Sequence, residues 1–311
     1  MKDLKVIFMG TPEFAVPILE SLINKCNVVL VVSQPDRLKD RKGNILYTPT
    51  KLVAINNNIE VFQPNKIKED YDKIINTDCD IIITCAYGQI IPDIILKKPR
   101  LGCINVHGSL LPKYRGGAPI HHAIINGEKE TGITIMYMDS KMDSGDIISQ
   151  KSIIIEDNDN LDNLYNKMSL LGRDLLMDTL PSIINKSNSR TKQNENLVTF
   201  GLNIKKEEEK IDFNNPAKKV YNLIRGLSSV PGAYCYLDDR RLKIYKAKIL
   251  DKESNGEVGK IVEVDKEGII VNCNDYLIKI LEIKLEGKAK CSVKDYLNGI
   301  KKNELIGKVL K

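Results

Sequence analysis

The chain has 311 residues, of which 42% are hydrophobic and 28% charged, so it can bury a sizeable core and is not wholly disordered. No apolar stretch approaches the ~20 residues that span a bilayer, and we expect neither a membrane segment nor a secretory signal. The net charge of +6 is uneven, because residues 1–186 sum to −1 and residues 187–311 to +7, so an anionic partner should meet the C-terminal part.

The N-terminal part alternates apolar strands with helices. Runs of apolar residues predict strands at residues 5–9, 27–33, 80–85, 103–106 and 133–138. Because these runs are continuous rather than alternating with polar residues, both faces of the strands should be buried. With helices between them, they predict a doubly wound, mostly parallel, Rossmann-like α/β domain. A long helix is predicted over residues 160–184.

The composition changes after residue 184. Residues 185–196 are polar and nearly devoid of apolar side chains, which predicts a linker, placed at 187–207. A helix is predicted over 217–226. Five short strand candidates between residues 233 and 285, separated by Gly, Asp and Asn, predict a small OB-like β-barrel. The predicted organisation is therefore an α/β domain at 1–186, a linker at 187–207 and an OB-like domain at 208–311.

Several common sites are excluded by missing motifs. The turn after the first strand contains only Gly10 where a dinucleotide site requires G-x-G-x-x-G, and no P-loop or H-E-x-x-H occurs. Seven cysteines without a C-x-x-C pair argue against a zinc ribbon or a disulfide framework. We expect no metal, reduced cysteines and a cytoplasmic location.

Asn105 and His107 form the first candidate site. They lie two apart at the end of a predicted strand, so their side chains should point to the same side. An amide donor beside an imidazole suits stabilisation of an oxyanion, while a structural histidine is an equally good interpretation. His121 and His122 lie together in a helix predicted after Pro119, where a structural role is expected.

A carboxylate partner for His107 is offered by the turn that follows the strand at 133–138. Asp143 and Asp146 flank Ser144-Gly145 there. The turn is predicted to lie at the sheet edge where the strand of His107 ends, so either aspartate could reach the imidazole. An Asx turn, in which the aspartate only caps the backbone, explains the same residues equally well.

The spacing of these residues resembles the 10-formyltetrahydrofolate-dependent formyltransferase family. The resemblance rests on Asn105-x-His107, on SLLPKYRGGAP at 109–119, and on Asp143-Ser144-Gly145. Within that family, further stretches are similar to the methionyl-tRNA formyltransferases, namely VIFMGTPEFA at 6–15, SQPDR at 33–37, AYGQIIP at 86–92, KEE at 206–208, IDF at 211–213, IRG at 224–226 and PGA at 231–233. The motifs extend from Lys5 to about Gly299, nearly the whole chain.

The resemblance implies a reaction and its residues. The formyl group of 10-formyltetrahydrofolate would pass to the α-amino group of initiator methionyl-tRNA, with Asn105, His107 and Asp143 as catalytic residues. The folate would be bound by Ser109, Leu110, Leu111 and Pro112. In this interpretation the protein is a cytoplasmic monomer that uses a folate co-substrate and no metal.

The resemblance also assigns a tRNA-contacting loop to residues 36–44. Its cations are Arg37, Lys39, Arg41 and Lys42, which suit phosphate contacts, although a solvated charged loop is the alternative. The family usually has a glycine-flanked arginine here, whereas Asp40 precedes Arg41 in this chain. Further phosphate contacts are predicted for the C-terminal β-barrel and for Lys205, Lys206 and Lys210.

Two rival functions remain open at this point. A formyltransferase that acts on a small amine, such as glycinamide ribotide or an amino sugar, would use the same three residues but would not explain the basic C-terminal part. A non-enzymatic RNA-binding protein would explain the barrel and the charge, but it would leave Asn105, His107 and Asp143 without a role.

Overall fold

The computed structural model describes residues 1–39, 43 and 45–311. They form two compact units, one of Met1–Pro119, Glu130–Ile154 and Tyr165–Leu202, the other of Ile120–Lys129, Ile155–Leu164 and Asn203–Lys311. Within these residues, no helix combines the length and the apolar character needed to cross a bilayer.

The first 186 residues alternate strands and helices, as predicted. The strands are β1 (Lys5–Gly10), β2 (Asn27–Val32), β3 (Leu38–Lys39), β4 (Ile45–Leu46), β5 (Val61–Phe62), β6 (Ile81–Cys85), β7 (Cys103–His107), β8 (Glu130–Tyr137) and β9 (Ile147–Ile154). The helices are α1 (Val16–Lys25), α2 (Pro49–Asn56), α3 (Asp72–Asn76), α4 (Asp93–Leu96), α5 (Pro119–Ile125) and α6 (Leu161–Ile184).

The main sheet has the strand order β5-β2-β1-β6-β7-β8-β9. The first five strands in this order, β5, β2, β1, β6 and β7, run parallel to one another. Every residue of β6, and every residue of β1 after Lys5, is buried, which explains why these strands consist of continuous apolar residues. The mostly parallel α/β fold predicted for this part is confirmed.

One strand at the end of this sheet runs the other way: β8 pairs antiparallel with both of its neighbours, β7 and β9. In this register Tyr137, the last residue of β8, lies opposite Ile104 near the start of β7. The turn after β8 therefore does not leave the sheet at the edge where β7 ends. The inference that placed Asp143 through a shared sheet edge was wrong.

The C-terminal unit is built on an antiparallel sheet of order β10-β11-β14-β13-β12, with β15 paired to β14. The small β domain predicted for the C-terminus is confirmed, and its strands are antiparallel. Its elements are α7 (Ala217–Gly226), β10 (Ala233–Leu237), β11 (Arg240–Glu253), β12 (Ile261–Val264), β13 (Ile269–Asn272), β14 (Tyr276–Leu285), β15 (Cys291–Ser292) and α8 (Val293–Tyr296). Val220 and Ile224 of α7 join the core formed by Leu242 and Ile244 of β11.

The stretch predicted as a linker makes specific contacts. Thr191 and Ile147 exchange two backbone hydrogen bonds of 2.8 and 2.9 Å, and Phe200 pairs with Arg115. Within this stretch, residues 187–202 belong to the first compact unit and residues 203–207 to the second. The domain boundaries at 186 and 207 stay predictions.

Candidate active site

Asn105 lies on β7 between β6 and β8, and a neighbouring strand fixes its amide. The Thr84 hydroxyl of β6 donates a 2.8 Å hydrogen bond to Asn105 Oδ1, and the carboxylate on the other side of the amide can only accept, so the amide oxygen faces Thr84. The amide nitrogen then faces Asp143, with Nδ2 3.4 Å from Oδ1 of that carboxylate. The amide thus presents its hydrogens, rather than its oxygen, to the side where Asp143 lies.

His107 points to the same side of β7 as Asn105 and is only 5% exposed. Its Nε2 lies 3.0 Å from the carbonyl oxygen of Tyr114. A carbonyl can only accept, so Nε2 carries a hydrogen and donates it. The other ring nitrogen, Nδ1, is 3.7 Å from Asp143 Oδ2. Nδ1 is therefore the ring nitrogen that faces the carboxylate.

Asp143 reaches these side chains from the loop between β8 and β9. Its φ of +49° lies in the left-handed region, which aspartate tolerates better than most residues. Its Oδ2 accepts a 2.8 Å hydrogen bond from the Gly116 backbone N–H, and its side chain is 16% exposed. The structure therefore brings Asn105, His107 and Asp143 together on one face of β7.

The structure also separates Asp143 from the other aspartates of its loop. Asp146 accepts a 3.0 Å hydrogen bond from Arg190 Nε. Asp139 accepts from the Lys141 backbone N–H at 3.0 Å and from the Ser144 hydroxyl at 2.7 Å, so the Asx-type capping is performed by Asp139. Of the two candidates, only Asp143 contacts His107.

The segment at 109–112, predicted to bind folate, is held by side chains from β8 and β9. The Thr134 hydroxyl donates to the Ser109 carbonyl at 2.6 Å and accepts from the Leu111 N–H at 3.1 Å. Gln150 Nε2 donates to the Leu111 carbonyl at 2.9 Å. Ser109 and Leu111 are buried, whereas Leu110 and Pro112 are partly exposed. The segment is thus a fixed turn beside His107, and its role toward folate stays a prediction.

A second polar cluster lies where the parallel strands β1, β2 and β6 end. Gln34 Nε2 donates to the Tyr87 carbonyl at 3.0 Å, and Gln89 Nε2 donates to Gln34 Oε1 at 3.2 Å. The Thr11 hydroxyl donates to the same Tyr87 carbonyl at 3.2 Å. The carboxyl edge of a parallel sheet is where ligands bind in this class of fold. The sequence showed these residues only as parts of motifs, without indicating that they meet.

The loop at 36–44 is anchored at its base by Asp36. This carboxylate pairs with Lys51 and accepts from the Thr48 N–H at 3.0 Å and from Gln63 Nε2 at 3.1 Å. Burial raises the pKa of Asp36, but these partners outweigh it and lower the pKa below its usual value. Strands β3 and β4, which follow Asp36 in the chain, pair antiparallel with each other.

The cations of this loop are only partly visible in the structure. Arg37 is exposed, whereas Arg41, Lys42 and the side chain of Lys39 lie outside the described residues. The three lysines predicted at the start of the C-terminal unit, Lys205, Lys206 and Lys210, are all exposed. Glu207, Glu208 and Glu209 lie between them, so this turn is nearly neutral.

Much of the positive charge of the C-terminal unit lies on β11 instead, which the sequence reasoning missed. Strand alternation turns Leu242 and Ile244 into the core and Arg241 and Lys243 away from it. Register shifts between Ile244 and Ala247 then leave Ala247 buried and the lysines on either side of it exposed. The Arg241 guanidinium lies 4.5 Å from the centre of the Tyr234 ring, and Lys246 and Lys248 are exposed. The sequence does contain an indication of this basic strand, because the 14 residues RRLKIYKAKILDKE include six basic ones.

The cysteines form no disulfide, and six of the seven are buried. Burial raises the pKa of the Cys85 and Cys103 thiols well above the usual range, so these groups stay protonated. Among the described residues, no three His, Cys, Asp or Glu side chains form a group that could hold a metal ion.

Comparisons with known proteins match both parts of the chain. Residues 4–180 match the formyl transferase family and residues 203–301 match the formyl transferase C-terminal domain. The chain is 48% identical to the methionyl-tRNA formyltransferase of Staphylococcus aureus strain MW2 over 309 residues, which are 98% of this chain and 99% of that protein. The same protein from strain JH1 matches equally well.

Solved structures share the fold at lower sequence identity. A sugar 3N-formyl transferase, solved in the presence of dTDP and 5-N-formyl-THF, superposes with a TM-score of 0.70 at 24% identity, covering 93% of this chain and 100% of that one. An N-formyltransferase from Helicobacter canadensis, in complex with folinic acid and dTDP-3-aminofucose, gives 0.68 at 22% identity, covering 89% of this chain and 98% of that one. The geometry around His107 and the full-length identity to the bacterial enzymes lead to one assignment: the chain belongs to the formyl transferase family and, within it, to the methionyl-tRNA formyltransferases.

Proposed function

We propose that this protein transfers the formyl group of 10-formyltetrahydrofolate to the α-amino group of initiator methionyl-tRNA. The observation that carries the proposal is the meeting of three chemically distinct groups on one face of β7. The Asp143 carboxylate lies 3.4 Å from the Asn105 amide nitrogen and 3.7 Å from the His107 Nδ1. These groups suit attack of an amine on a formyl carbon.

The reaction requires an oxyanion to be stabilised and a proton to be moved. Attack of the amine forms a C–N bond and places negative charge on the formyl oxygen. The Asn105 amide hydrogens and a proton on His107 Nδ1 stabilise this charge. Asp143 receives the proton that the attacking nitrogen loses and passes it on to N10 of the folate. The negative oxygen re-forms the formyl carbonyl as the bond between N10 and the formyl carbon breaks. No covalent enzyme intermediate is needed, so catalysis rests on positioning.

The turn at Ser109, Leu110, Leu111 and Pro112 is proposed to hold the folate beside these groups. It directly follows β7, and Thr134 and Gln150 fix its backbone. A fixed turn loses little conformational freedom when a ligand binds, which favours affinity. The polar cluster around Gln34 and Gln89 lies at the sheet edge that commonly binds ligands in such folds and supports the same assignment.

For the tRNA, we propose two contact regions. The first is the loop with Arg37, Lys39, Arg41 and Lys42. The second is in the C-terminal unit, where the outer face of β11 adds cations and tyrosine rings to Lys205, Lys206 and Lys210. Cations suit phosphates, and exposed aromatic rings suit stacking against bases. A small amine as acceptor would give the basic face of β11 no role.

The experiment is a formylation assay with defined acceptors. The protein is incubated with 10-formyltetrahydrofolate and methionyl-tRNA, and in parallel with glycinamide ribotide and an amino sugar. Formylated methionyl-tRNA is the expected product. Formylation of the small amines alone would contradict the proposal, and the absence of any formylation would favour a non-enzymatic RNA-binding role.

We further propose that the protein acts as a monomer in the cytoplasm. The cysteines are all unpaired, as suits a reducing compartment, and one chain supplies Asn105, His107 and Asp143 together. Light scattering coupled to gel filtration should give a mass near 35.0 kDa. A stable dimer at micromolar concentration would contradict the monomer.

A further inference from the structure

Residues 191–201, which we call the clasp, lie against the loops that carry the candidate site. At one end, Thr191 exchanges two backbone hydrogen bonds with Ile147. At the other end, the Arg115 N–H donates to the Thr199 carbonyl at 2.9 Å, and the Gly201 N–H donates to the Arg115 carbonyl at 2.8 Å. The clasp is therefore fixed at both ends within the first compact unit.

Gln193, inside the clasp, holds the backbone of the loop that carries Asp143. Its Nε2 donates to the Asp143 carbonyl at 2.8 Å and to the Gly145 carbonyl at 2.9 Å. The loop is tight at this point, because Asp143 has a φ of +49° and a Cβ on Gly145 would lie 1.9 Å from the Tyr137 carbonyl oxygen. A single amide thus satisfies two carbonyls of an uncommon turn.

Arg115 decides which way the Gln193 amide points. Its Nε and Nη2 lie 3.0 and 2.9 Å from Gln193 Oε1. A guanidinium can only donate, so the amide oxygen must face Arg115, and the NH₂ group must face the loop. The Arg115 side chain is 6% exposed, and Glu195 balances its charge with Oε1 at 2.9 Å from Nη2. The partner that orients Gln193 is therefore itself fixed.

The same part of the chain also holds the Asp143 side chain. Gly116, the residue after Arg115, donates its N–H to Asp143 Oδ2 at 2.8 Å. Asp143 is thus held by its carboxylate through Gly116 and by its carbonyl through Gln193. These two hydrogen bonds, one to the side chain and one to the backbone of Asp143, fix where the carboxylate lies relative to His107 Nδ1.

We propose that Gln193, oriented by Arg115, is a positioning residue that sets the Asp143 carboxylate beside His107 and Asn105. The inference rests on the proposed function, because the effect is exerted through Asp143. Gln193 contacts the backbone of Asp143 and Gly145 rather than the reacting groups, so its loss should slow the chemical step while leaving substrate binding intact.

The test is the variant Gln193→Glu. Glutamate keeps an oxygen for Arg115 but replaces the donor that faces the two carbonyls with a second acceptor. We expect kcat to fall roughly 10- to 100-fold, with KM for folate and tRNA changed by less than about threefold, since uniform binding is untouched. The matched control is Asn196→Asp, the same change from amide to carboxylate at an exposed residue of the clasp, and it should keep kcat within about twofold.

A cycle with Asp143→Asn separates positioning from a general loss of structure. If Gln193 acts through Asp143, Gln193→Glu should cost little further activity in the Asp143→Asn background. An equal fold-loss in both backgrounds, or full kcat in the single variant, would overturn the inference. If the glutamate variant does not fold, Gln193→Met, which is of similar length and uncharged, replaces it, and its kcat is compared in the same two backgrounds.

The wild-type protein distinguishes the two proposals. An inactive wild type in the methionyl-tRNA assay would contradict the proposed function and, with it, the positioning role. An active wild type together with an equally active Gln193→Glu variant would contradict the positioning role alone.

Discussion

The Nε2 of His107 lies 3.0 Å from the carbonyl oxygen of Tyr114, and this contact fixes the role of each ring nitrogen. Because a carbonyl can only accept, Nε2 carries a hydrogen, and Nδ1 is the nitrogen that faces Asp143. Tyr114 has a φ of +60°, and its own N–H donates to the Thr199 hydroxyl at 2.9 Å. A backbone carbonyl in an uncommon conformation thus orients the imidazole.

Asp143→Asn should abolish most formyl transfer. The amide keeps the shape of the carboxylate but cannot accept a proton, and we expect a loss of about 10²- to 10⁴-fold in kcat. The neighbouring Asp146→Asn is the control, because Asp146 pairs with Arg190 instead. Steady-state kinetics and circular dichroism on both variants make the comparison. Near-normal turnover by a folded Asp143→Asn protein would remove Asp143 from the mechanism.

Thr84→Val should reduce turnover through Asn105. Valine has nearly the same shape but lacks the hydroxyl that lies 2.8 Å from Asn105 Oδ1, so the amide loses the contact that sets its orientation. A hydrogen bond of this kind contributes about 1 kcal/mol, which corresponds to a fall of roughly fivefold in kcat/KM. Thr84→Ser keeps the hydroxyl and should retain activity. If both variants lose the same activity, packing rather than the hydroxyl is responsible.

Acid should destabilise the folded protein through His121. Burial, with a smaller contribution from the charge of His122, lowers the pKa of His121 from 6.5 to about 4. Between these pH values the unfolded chain binds a proton that the folded chain does not, so the free energy of unfolding decreases as the pH falls. The full effect is about 3 kcal/mol by pH 4.

His121→Gln removes this titration. Urea unfolding at pH 7 and at pH 4.5 should show a smaller loss of stability for the variant than for the wild type, whatever their difference at pH 7. Equal losses in the two proteins would exclude His121 as the cause.

Lys246→Gln and Lys248→Gln should weaken tRNA binding in a salt-dependent manner. If these exposed cations of β11 contact phosphates, each substitution should reduce the slope of log affinity against log salt concentration by roughly 0.7 to 0.9. The matched control is Lys68→Gln, an exposed lysine of the other compact unit. Filter binding at several salt concentrations provides the measurement. Slopes that match the wild type would exclude β11 from the interface.

The strand and helix pattern was largely predictable, because it depends on local residue types. The continuous apolar runs of β1, β2 and β6 predicted buried parallel strands, and the helix predicted over 217–226 is α7. The direction of β8 was not predictable in this way. Its apolar residues suit a parallel or an antiparallel neighbour equally well, and only the pairing with β7 decides.

By itself, the sequence determined the chemical groups and their family: an Asn-x-His pair, an aspartate 36 residues later, and motifs along nearly the whole chain. Only the tertiary structure decided which aspartate meets His107, which ring nitrogen faces it, and that a stretch resembling a linker holds the Asp143 loop. These contacts join residues far apart in sequence, such as Gln193 with Asp143 across 50 positions and Tyr114 with Thr199 across 85. Local residue patterns do not predict such pairs. Many kinds of side chain can form a hydrogen bond to a backbone group, and which one does so depends on where the folded chain places each side chain.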